Sequence, residues 1–193
     1  MRAMPITPDI PSPLDYGPAL KRFRRLRGWK QDRLAHMLGV GQPMISRWES
    51  GQFQPDEGHR AAIEALFAAQ IAPTPRALKD LVELSPAPVH LICDATHRLL
   101  ACSPSRRAEW RRDAGDLMGQ SLWRNACPEI VAEETRLAER GWHDAQDARI
   151  AFRMGDHVGP DLYMQAGWLV WDRLVLADGS ALRLVTTQTE PPA

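Results

Sequence analysis

The chain has little cysteine. Cys93, Cys102 and Cys127 are an odd number among 193 residues and none stands in a CxxC spacing. This excludes a dense disulfide framework and an ordinary zinc motif, and it suits a reducing compartment. No apolar run approaches the roughly 18 residues that cross a bilayer. The opening MRAMPITPDIPSPLDYG has no apolar segment of the secretory kind. GxSxG, HExxH and a phosphate-binding glycine loop are also absent, so the residues for those three chemistries are missing. Neither sign of charge is in surplus, with 24 Lys and Arg against 24 Asp and Glu. The expectation is a soluble cytoplasmic protein that is not an enzyme, with no metal, no cofactor and no membrane partner.

What is present fits a folded chain. Apolar residues make up 44% and charged residues 25%, close to the globular average, and the length suits one domain or two small ones. The zero net charge conceals an asymmetry. Residues 1–72 hold ten basic and seven acidic side chains, whereas residues 73–193 hold fourteen and seventeen. Within Leu20–Arg33 seven bases face one acid, Asp32. A local basic block on a neutral chain suits a polyanion partner or a solvated helix face.

Punctuation divides the chain into four expected parts. Residues 1–16 are proline-rich with little apolar periodicity and are expected to form a flexible arm. Residues 17–71 carry helical periodicity broken by glycines about every ten residues, an all-α bundle. Residues 72–84 form a proline-marked linker and a helix, and residues 85–190 change to strand patterns around a helical middle. In that last part VHLICDATHRLLACS reads as two strands about a turn and DARIAFRMGD as a third. Two longer strands meet at Asp178-Gly179, a dipeptide that accepts the positive φ of a tight hairpin. The fold class is α+β on an antiparallel sheet.

Helical spacing assigns faces in the first domain. Leu34, Met37 and Leu38 form one stripe; Ile45, Trp48 and Glu49 form another, which leaves Pro43, Ser46 and Arg47 opposite, with Gln42 at the helix start. Trp48 is therefore read as core, and His36 and His59 as surface residues. Two short helices joined by Gly39-Val40-Gly41 make a helix-turn-helix pattern whose later helix can enter the major groove.

The run LKRFRRLRGWKQDRLAHMLGVGQPMISRWESGQFQPD resembles the Cro/CI-type (XRE family) helix-turn-helix domain, over about residues 17–70. The resemblance implies that Gln42, Pro43, Ser46 and Arg47 face the bases of double-stranded DNA and that Gln31 bonds a phosphate. Lys30, Lys21, Arg22 and Gln52 complete the expected phosphate contacts, and Arg24 with Glu49 forms a structural ion pair. Lys30 stands where the family has a capping Ser or Thr, so that cap is weak here. Pro43 lies in the first turn and donates no hydrogen bond, which leaves base readout to Gln42, Ser46 and Arg47.

The second part, about residues 85–190, resembles a PAS domain through VHLICDATHRLLACSPSRRAEW, DLMGQSLWRN and the closing hairpin LRLVTTQTE. The resemblance implies dimerisation, or a small-molecule ligand in the core. His90 and His97 are weighed as haem ligands and read instead as structural. The three cysteines read as small buried hydrophobes. Trp123, Trp168 and Trp171 are weighed as pocket lining against core packing, and Glu133 and Glu134 are read as solvated residues of a charged helix. Ala77–Leu84, apolar on one face, is the expected dimer seam.

The expected function is a sequence-specific, nucleoid-associated transcription regulator that binds a pseudo-palindromic operator as a homodimer. The alternative is a ligand- or haem-binding PAS sensor whose pocket gates DNA or partner binding.

Overall fold

The computed structural model describes residues 16–70, 74–110 and 114–192. All but Tyr16 of the expected arm therefore lies outside the described residues, as do Ala72 and Pro73 of the expected linker.

Four helices come first: α1 (Tyr16–Leu26), α2 (Gln31–Leu38), α3 (Gln42–Glu49) and α4 (Glu57–Gln70). Each buries one stripe: Ala19, Leu20 and Phe23 from α1, Leu34, Ala35 and Leu38 from α2, Ile45 and Trp48 from α3, Ile63 and Phe67 from α4. These side chains form a single core, with Phe23 and Phe67 ring centres 4.9 Å apart. Burying each large apolar side chain contributes about 1.5–3 kcal/mol, enough to hold helices too short to persist alone. α1 crosses α3 very closely at Gly17, where a Cβ would overlap the Trp48 carbonyl oxygen and lie 2.9 Å from its carbon. Gly39 ends α2, its N–H directed to the carbonyls of Ala35 and His36.

The rest of the described chain runs α5 (Arg76–Glu83), β1 (Val89–Cys93), β2 (Leu99–Cys102), α6 (Pro104–Trp110), α7 (Pro128–Arg136), β3 (Arg149–Met154), β4 (His157–Val158), β5 (Tyr163–Met164), β6 (Gly167–Val175) and β7 (Ala181–Gln188). Five strands form one antiparallel sheet in the order β2-β1-β7-β6-β3. A strand pair, a helical insert and a three-stranded return make this a PAS-like architecture. β4 and β5 form a separate small hairpin that the sequence reading did not contain, because two-residue strands are too short to show alternation. The β6–β7 hairpin turns at Asp178-Gly179, with Gly179 at φ 81° and the Asp178 carboxylate accepting from Ser180 N and Oγ.

Alternation sorts the sheet's two faces. Ile92, Phe152, Leu169, Trp171 and Val185 face inward onto Trp110, Leu137 and Trp142. Val89, Leu91, Ala101 and Leu182 face outward and are partly covered by Val82 of α5. Leu81 of α5 and Leu84 at its C-terminal end are 71% and 82% exposed.

The two parts touch. Phe23 of α1 shares its core with Cys93 and Ala95, at the end of β1, and Glu64 of α4 is ion-paired with Arg98. No helix among the described residues is long and apolar enough to cross a membrane.

Candidate nucleic-acid interface

α3 presents a polar face to solvent. Pro43, Ser46 and Arg47 are exposed and Gln42 is half-buried, while Ile45, Trp48 and Glu49 are buried behind them. No described residue of the C-terminal part covers this face. The Arg47 guanidinium stands 5.6 Å from the ring centre of Phe53, and Gln52 beside it is exposed.

A polar relay fixes the base of that face. Arg24 donates from Nε and Nη2 to the two oxygens of Glu49, at 2.6 and 2.8 Å, and from Nη1 to the Trp29 carbonyl at 2.9 Å. Gln31 Nε2 donates to Glu49 Oε2 at 2.9 Å, and Gln42 Nε2 donates to Gln31 Oε1 at 2.5 Å. Hydrogen bonding to Glu49 raises the Arg24 pKa, so the guanidinium stays charged. Glu49 therefore joins α1 to α3 and, through Gln31, sets the amide of Gln42. Gln31 keeps one N–H uncommitted by these bonds, because a primary amide has two.

The basic block of Leu20–Arg33 is divided among several tasks. Arg24 is committed to Glu49, and the Arg33 guanidinium lies 4.4 Å from the Trp29 ring centre. Lys30 is exposed and makes no side-chain cap on α2. Lys21 is half-buried. Arg22, expected on a phosphate, points instead into the C-terminal part, 3.2 Å from Glu134 Oε1, with Nη2 3.4 Å from the Ala95 carbonyl. The physical reason is that Arg22 and Phe23 lie on neighbouring faces of α1. Docking Phe23 against Ala95 carries Arg22 to a buried carboxylate.

That carboxylate belongs to a buried cluster which the sequence reading missed. Glu134 and Glu133, expected in solvent, are both buried. Glu133 faces Arg140 at 3.0 Å and Arg136 at 3.6 Å. Glu134 accepts from Arg183 Nη1 at 2.7 Å and lies 3.3 Å from His97 Nε2. Arg183 also donates to Asp94, whose other oxygen accepts from the Trp142 indole at 2.9 Å, and its guanidinium lies 4.4 Å from the Trp171 ring centre. Burial alone would push the Glu134 carboxyl up, but Arg183, His97 and Arg22 hold it well below the usual carboxylate range. Burial lowers the His97 pKa despite Glu134. A neutral ring with Nε2 toward Glu134 and Nδ1 3.5 Å from Arg22 suits both neighbours. The signal was in the alternation: Arg183 occupies an inward position of an apolar strand, and a charge there requires a partner.

Beside the cluster lies a cavity of about 70 Å³, lined by His90, Ile92, Trp110, Leu169 and Trp171, with His97 and Arg183 in its wall. Trp123 reaches it and stacks on His97 at 4.9 Å, whereas Trp168 does not line it, because it alternates to the other face of β6. His90 is held neutral by burial and by nearby Arg106. Both nitrogens of His97 face ionic neighbours. Burial pushes the Cys102 and Cys127 thiols up to about 11, and all three cysteines are buried and free.

Residues 20–59 match the family model described as helix-turn-helix. Among solved structures, the chain is similar to the PAS domain of an HTR-like protein from Haloarcula marismortui, at 20% identity over 68% of this chain and 99% of that one, with a TM-score of 0.41. It is also similar to the PAS domain of BvgS from Bordetella pertussis, at 11% identity over 61% of this chain and 84% of that one, with a TM-score of 0.34. A third likeness is to an RNA-binding Light-Oxygen-Voltage receptor, at 9% identity over 91% of this chain and 58% of that one, with a TM-score of 0.40. No curated protein matches the chain. Helix geometry and family match together define a helix-turn-helix module over residues 20–59. It is joined here to the α+β domain built on the five-stranded antiparallel sheet.

Proposed function

We propose that the protein is a sequence-specific transcription regulator that binds a pseudo-palindromic operator as a homodimer. The observation that carries this reading is the exposed face of α3, with Gln42 held by the Arg24–Glu49–Gln31 relay. Gln42, Ser46 and Arg47 read base edges in the major groove, and Pro43 offers an apolar contact to a thymine methyl. Lys30, Gln31, Lys21 and Gln52 meet phosphates, while Arg22 is withdrawn from that set.

Dimerisation supplies what one module lacks. A single module buries only about 600–1,000 Å² on DNA, and two joined modules read half-sites about 34 Å apart or a multiple of that. The exposed Leu81 of α5 and Leu84 at its C-terminal end support the seam, because large apolar side chains at such exposure gain by association. Selecting bound sequences from a random DNA pool tests the reading. A two-fold motif is expected, and Arg47→Ala should cost about 1–3 kcal/mol, roughly 5- to 150-fold, at a single base pair. Unchanged preference in that variant would show that α3 is not the reading element.

A second reading, in which the C-terminal domain holds a small molecule that gates DNA or partner binding, is favoured by the apolar-walled cavity beside the ion cluster. It predicts saturable stabilisation of the purified protein by a metabolite, or an absorbing chromophore if the occupant is haem. A colourless protein with no thermal shift across a metabolite library would remove it.

A further inference from the structure

The cluster beside the cavity has a member from outside the C-terminal domain. Asp94, Glu134, Arg183 and His97 belong to that domain, and Arg22 comes from α1 of the DNA-binding helices. The Arg22 side chain is 13% exposed and that of Glu134 5%. Glu134 is the junction, with Arg183 and His97 of the cavity wall on one side and Arg22 on the other. His97 is also the one non-glycine residue with positive φ, 55°, among the described residues, so the loop that carries it is held by its surroundings rather than by local preference.

We propose that Arg22 is a latch that couples the position of the DNA-binding helices to the ion cluster in the cavity wall. With Arg22 seated on Glu134, α1 is docked on the end of β1 and the two domains move as one body. Any event that shifts Glu134, His97 or Arg183 alters the partner on which Arg22 rests, and with it the placement of α3 toward DNA. A released state leaves Glu134 with two neighbours instead of three and brings Arg22 into solvent. Docked and released forms therefore differ in electrostatic free energy, which is what an effector must bias. The charged and titratable groups around the contact are Arg183 and the neutral His97 on Glu134, Asp94 on Arg183, and Arg173 beside Asp94 at 3.8 Å.

Three buried thiols supply the readout. Cys93 is covered at the contact between the domains, while Cys102 and Cys127 lie in the C-terminal core. Labelling of the full chain with a thiol reagent, resolved by mass spectrometry, therefore separates undocking from unfolding. Arg22→Met and Glu134→Gln should each speed Cys93 at least tenfold and leave Cys102 and Cys127 unchanged. The double variant should react no faster than the faster single one, because both remove one contact. Unchanged Cys93 in Arg22→Met, or multiplied effects in the double variant, would overturn the latch. Should Glu134→Gln loosen the whole domain, seen as all three thiols reacting together, Arg22→Met decides alone. One further readout rests on the DNA-binding reading: Glu134→Gln should shift operator affinity at least threefold although Glu134 makes no contact with α3. A wild-type chain that selects no operator would refute that reading and leave the labelling result standing.

Discussion

Replacing Glu49 with Gln tests whether a single carboxylate organises the DNA-binding domain. Glu49 is 6% exposed and accepts three hydrogen bonds, two from Arg24 and one from Gln31. Glutamine has the same shape but offers one acceptor where the carboxylate offers two. Its amide oxygen can keep the bond from Arg24 Nε. Its NH₂ then meets Arg24 Nη2 and Gln31 Nε2, both of them donors. Two bonds are lost, at least one of them charge-assisted, at about 1.5 kcal/mol each, and the loss is roughly 3 kcal/mol. Breaking a buried ion pair by removing one partner costs about 3–5 kcal/mol, and Arg24, 14% exposed and still bonded to the Trp29 carbonyl, belongs at the low end. The assay is urea unfolding of the full chain at neutral pH, with Arg24→Met and the double variant beside it. Glu49→Gln should cost about 3 kcal/mol, and the double variant less than the sum of the singles, because no charge is then left stranded. A cost below about 1 kcal/mol, or strict additivity, would refute the reasoning.

Two other outcomes follow from the burial of two imidazoles and the exposure of two leucines. His90 and His97 have pKa values below the ordinary 6.5, so as pH falls through 6.5 the unfolded chain gains protons that the folded chain refuses. Stability is therefore full above that pH and declines below it, by up to about 1.4 kcal/mol per pH unit for each imidazole. Urea midpoints across this range should show the decline, His90→Phe should flatten it, and a level profile would contradict the neutral assignment. Leu81→Glu with Leu84→Glu should convert a dimer to a monomer in sedimentation and lower the salt dependence of operator binding; an unchanged mass would place the seam elsewhere.

The sequence disclosed the first domain well because its information is local. Leu34, Leu38, Ile45 and Trp48 repeat within a turn or two, so the wheel that sorts them also places Ser46 and Arg47 outside. The strands of the sheet were legible for a similar reason, since Arg149–Met154 and Ala181–Gln188 have flanking turn residues and sufficient length. The cluster around Glu134 was not legible. Its partners Arg183 and Arg22 lie 49 residues after it and 112 before it, and a run bearing Glu133, Glu134, Arg136, Glu139 and Arg140 looks solvated when read alone. Arg22 was misplaced for the same reason: a basic side chain next to a DNA-reading unit gives no local sign that a neighbouring domain claims it.

The close approach of α1 to α3 has an evolutionary consequence. With Trp48's carbonyl occupying the space a methyl would need, position 17 admits no side chain without displacing the helix that carries Arg22. Natural variants should therefore drift freely at neighbouring solvent positions while this one stays invariant, and a lineage that replaced it would have had to rebuild both the packing and the join between its two halves.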